Sequence, residues 1–176
     1  DNYAVGKLAA KALNAVNCRR VIVIGVLEGH VIMEKRLIGF RREFKGEIRN
    51  EPRIPGENYY IRDILMLEQA WKEGFDGAFI VTDEYAPQLI SPLTQVNAIP
   101  REFKIITFNG SGDGMSCNPP LTSISHGTEH VVENILDLLK EISRYGHGAR
   151  IRKLIKPHIY LNKSLGENEP CDLSLD

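Results

Sequence analysis

The residues best able to do chemistry in this sequence are its histidines, serines and acidic side chains, but their spacing does not suit catalysis. His126 and His130 stand four positions apart with Gly127 between them, and the five histidines show no HExxH or other metal spacing. No G-x-S-x-G nucleophile motif is present. Acidic residues follow the predicted strands, yet nothing in the sequence brings two of them together: Glu28, Asp83, Glu84 and Asp113. We therefore predict no catalytic set and no metal site, and the motifs alone identify no class of enzyme.

A glycine-rich segment, residues 110–114, follows a predicted strand and superficially resembles a dinucleotide-binding loop. Such a loop needs a helix directly after it, because the amides of the helix N-terminus bind the phosphates. Residues 115–120 end in two prolines and cannot start a helix promptly. We therefore interpret the segment as a flexible surface loop and predict no cofactor.

Arg36 is the residue best suited to bind a small polar ligand. It lies about one turn into a predicted helix, roughly residues 31–45, that follows the first predicted strand. A forked guanidinium suits pairs of hydroxyls or a carboxylate. An ordinary solvent-exposed arginine is the alternative, and the residue type alone does not decide between them.

The elements that must position these residues alternate along the chain. Short apolar runs predict strands at 21–25, 77–81, 104–108, 121–125 and 154–161, with a brief extended stretch near 53–54. Helical spacing of apolar residues predicts helices at about 3–17, 31–45, 58–73 and 128–143. A further helix is predicted after the strand 77–81, with Thr82 and Asp83 as its N-cap, and we expect Pro92 to kink or end it. This alternation predicts βαβ units, that is, an α/β fold with an open parallel sheet and helices on both faces. In such sheets ligands bind beyond the carboxyl ends of the strands, here the loops at 25–31, 82–84 and 109–114.

Composition limits the other classes of function. The chain has 176 residues, 43% of them hydrophobic and 26% charged, which suits one globular domain or two small lobes. A net charge of -1 argues against nucleic-acid binding by this stretch alone, and the longest apolar run, 21–27, is too short to span a membrane. Three widely spaced cysteines form neither a disulfide framework nor a zinc set, which fits the cytoplasm. The chain begins at Asp1 without a signal-peptide pattern, so we expect either a processed protein or a piece of a longer one.

Seven segments, taken in order, resemble the effector-binding core of the LacI/GalR family of bacterial transcription regulators. The more specific two are Arg36-Leu37-Ile38-Gly39-Phe40 and Pro119-Pro120-Leu121-Thr122-Ser123-Ile124. The others are segments 1–10, 19–25, 79–86, 105–109 and 157–164. Together the seven segments are spread over nearly the whole chain, from residue 1 to residue 164.

The resemblance implies a periplasmic-binding-protein-like (type I) fold, in which two α/β lobes are joined by three crossing strands. Residues 1–125 would form most of the C-terminal lobe, and 126–158 would give one helix and one strand to the N-terminal lobe. Residues 159–176 would return to the C-terminal lobe and end in a polar tail. A DNA-binding helix-turn-helix and the first part of the N-terminal lobe would precede Asp1. The apolar stripe of helix 128–143 would then be exposed, or covered by an oligomer.

The resemblance also implies a set of ligand-binding positions. Arg36 falls on the family's effector-contacting arginine, Thr82 and Asp83 on its Asn-Asp pair, and Asn109 on its aspartate. Further cleft positions are implied for His30, Thr128 and, more loosely, Tyr59. Two of these positions depart from the family pattern, because Thr82 replaces asparagine and Asn109 replaces aspartate. The second departure removes a charge-assisted hydrogen bond to the ligand.

The function implied by the resemblance is the sensing of a small polar metabolite, most plausibly a sugar. Binding between the lobes would control, by allostery, DNA binding through the separate headpiece. We expect a cytoplasmic homodimer that has no membrane partner. One alternative is an extracytoplasmic sugar-binding protein of a transport system, and a second is a doubly wound α/β enzyme, although no catalytic set supports it.

Overall fold

The computed structural model describes residues 1–56, 58–110, 112–145 and 153–166. Its helices are α1 Asn2–Ala15, α2 Val31–Glu43, α3 Tyr59–Lys72, α4 Ala86–Gln95, α5 Gly112–Ser116 and α6 Thr128–Tyr145. Its strands are β1 Arg20–Ile24, β2 Glu47–Asn50, β3 Gly77–Ile80, β4 Lys104–Phe108, β5 Thr122–Ser125 and β6 His158–Tyr160. A single 3₁₀ turn, Lys163–Leu165, follows β6.

The strands form one sheet in the order β2-β1-β3-β4-β5-β6. The first five are parallel to one another, and β6 runs antiparallel to β5 with Ile159 opposite Ile124. Parallel strands need long crossovers, and α1 to α5 are the segments between or before them. The α/β fold with an open, mostly parallel sheet is therefore confirmed, with one antiparallel edge strand added.

Helices cover both faces of the sheet, because the strands bury side chains on both sides. On one face α1 and α2 pack through Leu8, Leu13 and Phe40 against strand residues that include Val21 and Phe79. On the other face α3 and α4 pack through residues such as Leu67 and Leu89. Strand β3, Gly77–Ile80, is buried throughout, as expected of a central parallel strand.

Helices α1 and α2 meet backbone to backbone at two glycines. A Cβ at Gly6 would lie 1.9 Å from the carbonyl oxygen of Arg36, and a Cβ at Gly39 would lie 2.1 Å from that of Tyr3. No side chain fits at either position unless the helices separate. The contact therefore fixes α2, and Arg36 on it, against α1.

Two predictions for the elements before β4 are wrong, and of the two alternatives for Pro92, a kink or an end of the helix, the end is excluded. Residues 47–50 form the edge strand β2, which we did not predict because Glu47, Arg49 and Asn50 are polar; Arg53 makes only a single bridge with Leu27. Tyr85, rather than Thr82 or Asp83, stands at the N-cap of α4, at φ 49°. The helix also continues past Pro92 to Gln95, because buried residues on either side of the proline hold it to the sheet.

Two predictions for the later segments also need correction. The segment expected to be a flexible loop contains α5, whose Gly114 is buried, and Cys117 just after it is buried as well. Of the predicted strand 154–161, only His158–Tyr160 forms β6. The polar tail that was predicted beyond residue 164 begins later, because Leu165 is 2% exposed, and its residues from 167 onward lie outside the described part of the chain.

Ser164 attaches the end of the described chain to the middle of the sheet. It is fully buried, its hydroxyl donates to the carbonyl oxygen of Ile105 at 2.6 Å, and it accepts from the amide of Thr122 at 2.8 Å. The Thr122 side chain in turn donates to the carbonyl oxygen of Asn162 at 2.9 Å. These bonds hold β4 and β5 together through the segment that follows β6.

Helix α6 has an exposed apolar side, as we predicted. None of its described side chains is buried, and four aliphatic ones are about half exposed: Val132, Ile135, Leu136 and Leu139. Within the described ranges, no helix is long and apolar enough to cross a membrane.

Candidate ligand-binding site

Arg36 lies at the carboxyl edge of the sheet and is buried rather than solvated. It is 8% exposed, and its Nη1 donates to the carbonyl oxygen of Val81 at 2.5 Å, just beyond the end of β3. Its Nε donates to Oδ1 of Asn2 at 2.9 Å, at the start of α1. The surface-arginine alternative is therefore excluded, and α1, α2 and β3 together set the position of the guanidinium.

Phe108 forms the surface on which this guanidinium rests. The central carbon of the Arg36 guanidinium lies 3.6 Å from the centroid of the Phe108 ring, a cation–π contact. The His126 ring meets the same phenyl ring edge-on, at 5.5 Å between centroids and 70° between planes. Burial lowers the pKa of Arg36 to about 10, so the guanidinium remains charged at neutral pH.

Asn109 directly follows Phe108 and lines a cleft at this edge. Its backbone has φ 127°, a conformation that residues other than glycine rarely adopt. Its amide donates to the carbonyl oxygen of Ile124 at 2.9 Å, which holds this conformation against β5. The side chain of Asn109 therefore starts from a fixed backbone beside the cleft.

The cleft has a volume of about 580 Å³ and opens between the ends of β4 and β5 and the segment around β6. Its lining is made of neutral hydroxyl, amide, backbone and apolar groups: Asn109, Gly110, Met115, Ser123, Ser125, Gly127, Thr128, Tyr160, Leu161 and Asn162. Two of the predicted positions, Asn109 and Thr128, thus meet in one cavity. A cavity of this size suits a small polar molecule.

Serine hydroxyls of β5 shape the rim of the cleft. The Ser123 hydroxyl accepts from the amide of Gly110 at 2.9 Å, and the Ser125 hydroxyl accepts from the amide of Gly127 at 3.1 Å. Sequence reasoning missed both serines. The sequence did contain a signal for them: Ser123 and Ser125 are two positions apart on a predicted strand, and such residues point to the same side of the sheet.

The Thr82–Asp83 pair follows β3 at the same edge but points elsewhere. Thr82 is 9% exposed and Asp83 only 1% exposed. A Cβ at Gly114 would lie 3.7 Å from Oδ2 of Asp83, so this carboxylate lies against α5. Burial raises the pKa of the Cys117 thiol to about 11, and the carboxylates of Asp113 and Asp83 add to that rise. The cleft lining does not include Thr82 or Asp83.

His30 has a structural position at the start of α2. It is the N-cap residue, and its Nδ1 accepts from the amide of Met33 at 3.4 Å. That hydrogen bond favours the beginning of the helix that carries Arg36. Within the described chain, His30 is not part of the cleft lining.

Tyr59 belongs to a second cluster at this edge, built around a buried ion pair that sequence reasoning missed. Arg53 is 4% exposed and Asp63 3% exposed, and Nε and Nη2 of Arg53 both donate to Oδ2 of Asp63, the first at 2.8 Å. The Arg53 guanidinium lies over the Tyr59 ring, 4.2 Å from its centroid. Tyr59 therefore stacks on a residue of its own chain. Only the spacing of a basic and an acidic residue across a loop could have indicated the pair.

Chemically, the site is equipped for binding. Groups of three or more potential metal ligands are absent from the described residues. The two cysteines that the structure describes, Cys18 and Cys117, are buried and unbridged, and burial raises the pKa of both thiols. The groups at this edge of the sheet are the charged guanidinium of Arg36, the Phe108 ring on which it rests, and the polar cleft lined by Asn109. Together with the α/β fold, these groups suit the binding of a small polar ligand.

Comparison with known proteins gives the family. The model of the periplasmic binding protein-like domain matches residues 10–165, so the chain belongs to that family. The sucrose operon repressor of Streptococcus mutans is 30% identical over 149 residues, which are 81% of this chain and 45% of that repressor. The chain thus spans less than half the length of this relative.

Solved structures share the fold. A LacI family transcriptional regulator from Enterococcus faecalis with bound ribose superposes with a TM-score of 0.78 at 22% identity, covering 98% of this chain and 62% of that one. A periplasmic binding protein/LacI transcriptional regulator from Alkaliphilus metalliredigens, complexed with D-xylulofuranose, gives 0.72 at 22% identity, covering 93% and 63%. A ribose operon repressor protein from Lactobacillus acidophilus gives 0.73 at 17% identity, covering 93% and 62%. The resemblance to LacI-type regulators is confirmed.

Proposed function

We propose that this chain is the effector-sensing part of a LacI-type transcription regulator that binds a sugar or a sugar derivative. The observation that carries the proposal is the cleft of about 580 Å³ at the carboxyl edge of the sheet, lined by Asn109 and hydroxyl groups. Arg36 is not part of this lining, but its guanidinium rests on Phe108, the residue before Asn109, at the same carboxyl edge of the sheet. Hydroxyls and amides both donate and accept hydrogen bonds, as recognition of a polyol requires.

Three further statements belong to this proposal. The described residues 126–145 and 153–157 belong to a second lobe, which completes the cleft from the other side, whereas His158 already lies in β6. Ligand binding favours one arrangement of the two lobes and thereby changes DNA binding through a separate headpiece. The regulator acts in the cytoplasm as a homodimer and has no catalytic activity. The similarity to a repressor supports regulation rather than transport.

Calorimetric titration of the full-length protein with a panel of sugars tests the proposal. We expect at least one sugar or sugar derivative to bind, and Arg36→Ala to weaken its binding by tenfold or more. Arg42→Ala is the matched control, because Arg42 is an exposed arginine on the same helix. Equal affinities of the Arg36→Ala variant and the unmodified protein would remove Arg36 from the site. Turnover of any sugar in the panel would contradict the binding role.

A further inference from the structure

Arg36 is a buried positive charge that no acidic group of the described chain neutralises. Both of its hydrogen bonds go to neutral oxygens, those of Val81 and Asn2. Burial is the only cause of its lowered pKa, and no carboxylate raises that pKa. The Phe108 ring attracts the guanidinium without cancelling its charge.

One nitrogen of this guanidinium is available to a ligand. Nη2 of Arg36 makes no hydrogen bond with the described residues, whereas Nε and Nη1 each make one. It is also not among the fully buried nitrogens that lack a partner, so it retains contact with solvent. A partner for Nη2 can therefore approach from outside the protein.

The second arginine at this edge shows the opposite arrangement. Arg53 is as deeply buried as Arg36, but it donates twice to the carboxylate of Asp63. A buried arginine whose charge must be balanced within the protein thus has an acidic partner here. Arg36 has no such partner among the described residues, so an anionic group of a ligand can take that place.

The acidic side chains around this edge are engaged elsewhere or lie outside the cleft. Four of them have other positions: Asp1 caps α1, Asp63 pairs with Arg53, Asp83 lies against α5, and Glu34 accepts from the amide of Gly29. The exposed acids Glu84, Asp113 and Glu129 are not part of the cleft lining. An anionic ligand therefore meets no like charge in the lining that the structure describes.

We propose that the ligand is an anionic sugar derivative whose carboxylate or phosphate pairs with Arg36. This inference rests on the proposed function and specifies the class of its ligand. A planar guanidinium binds carboxylate or phosphate oxygens with charge-assisted hydrogen bonds, which are about twice as strong as neutral ones. The neutral hydroxyls and amides of the cleft bind the polyol part of the molecule.

The test is titration of the full-length protein with matched neutral and anionic sugars. The neutral arm is glucose, fructose and ribose, the phosphate arm is fructose 6-phosphate and ribose 5-phosphate, and the acid arm is gluconate and glucuronate. We expect one anionic arm to bind at least tenfold more tightly than its neutral counterparts, with an affinity that falls as salt rises. Inorganic phosphate alone should bind weakly, since it lacks the polyol.

Two variants test the assignment of the charge. Asn109→Asp places a carboxylate in the cleft lining and should weaken binding of the anionic sugar about tenfold, while neutral sugars lose little. Arg36→Met should remove the preference for the anionic arm, and Arg42→Met should keep it. Circular dichroism and melting temperature show whether each variant folds. Should Arg36→Met fail to fold, Asn109→Asp still decides.

The outcomes separate this inference from the proposed function. Neutral sugars that bind as tightly as their phosphates or acids would overturn the inference and leave the sugar sensor standing. Unchanged anion preference in Arg36→Met, or in Asn109→Asp, would also overturn it. No binding in any arm would contradict both proposals.

Discussion

At the scale of single residues, two buried arginines at one edge of the sheet differ in the groups that surround their positive charge. Arg53 has the carboxylate of Asp63, and Arg36 has two neutral oxygens and an aromatic ring. Burial raises the pKa of Asp63, and the hydrogen bond from Arg53 opposes that rise. The charge of the first arginine is balanced within the fold, and the second is the one that we propose for ligand binding.

Removing one partner of the buried pair should be costly. Asp63→Asn leaves the Arg53 guanidinium without a counter-charge, so we expect the free energy of unfolding to fall by about 3–5 kcal/mol. The double variant Arg53→Met/Asp63→Leu should be more stable than Asp63→Asn, because it removes both charges. Denaturant unfolding of the three proteins measures this order. A loss below about 1 kcal/mol in Asp63→Asn would show that the pair is solvated.

His126 should make stability depend on pH. Burial is the largest cause that lowers its pKa from the usual 6.5 to about 4, and the positive charge of Arg36 adds to this lowering. The unfolded chain therefore binds a proton between these values that the folded chain does not, so stability falls as pH drops from 6.5 towards 4. Melting temperatures at pH 7 and pH 5 should differ less in His126→Gln than in the unmodified chain. An equal difference in both proteins would assign the pH effect to other groups.

At the scale of elements, the contact of α1 with α2 determines where Arg36 lies. The two glycines at the crossing let the helix backbones touch, and Arg36 is at the contact, since its own carbonyl oxygen would be 1.9 Å from a Cβ at Gly6. Moving α2 outward would therefore move the guanidinium away from Val81. The position of the binding residue thus depends on two residues that have no side chain.

Gly6→Ala should test this dependence. Its methyl group overlaps backbone atoms, so we expect a loss of about 1–3 kcal/mol in stability from overpacking. Ligand affinity should fall as well, because Arg36 moves with α2. Gly112→Ala is the matched control, since no atom lies within 4 Å of a Cβ there. Thermal melting and ligand titration give the two readouts, and an unchanged melting temperature in Gly6→Ala would contradict the close contact.

The helices and central strands were predictable, because their apolar spacing is regular and the strands are buried on both faces. Strand β2, Glu47–Asn50, was not predictable, since its polar residues carry no strand pattern and pairing with β1 decides its conformation. The extent of α4 across Pro92 depended likewise on packing. The local sequence pattern therefore predicted the elements that bury apolar side chains. It failed for β2 and for the end of α4, where contacts with a neighbouring element outweigh a weak local preference.

The site was predictable to a lesser degree. Arg36 and Asn109 were nominated through the family resemblance, and the structure places both at one edge of the sheet. The contact of Arg36 with Phe108 joins residues that are distant in sequence. No spacing rule brings such residues together, because the sheet order determines which strand ends become neighbours.

At the scale of the whole molecule, α6 is a helix whose apolar side the described residues leave exposed to solvent. Its aliphatic residues are about half exposed, and exposed apolar patches promote association. Within the proposed function, this side of the helix packs into the second lobe. The helix would then be exposed in this stretch of 176 residues and buried in the complete regulator.

The pair Leu136→Gln/Leu139→Gln tests the exposure of α6. In this chain, the two leucines are 51% and 57% exposed. The free energy of unfolding should therefore change by less than about 0.5 kcal/mol per residue. Self-association should decrease, as measured by sedimentation velocity. A loss of several kcal/mol would show that the leucines are buried in this chain.

The hydrogen bonds of Ser164 carry a practical lesson for anyone who trims or tags this protein. Because its hydroxyl joins Ile105 to Thr122, a form cut before residue 162 would leave the amide of Thr122, deep inside the sheet, without its acceptor. A cleavage site or affinity tag is therefore safer after Gly166 than between residues 158 and 165, although this short terminal segment looks dispensable from its sequence.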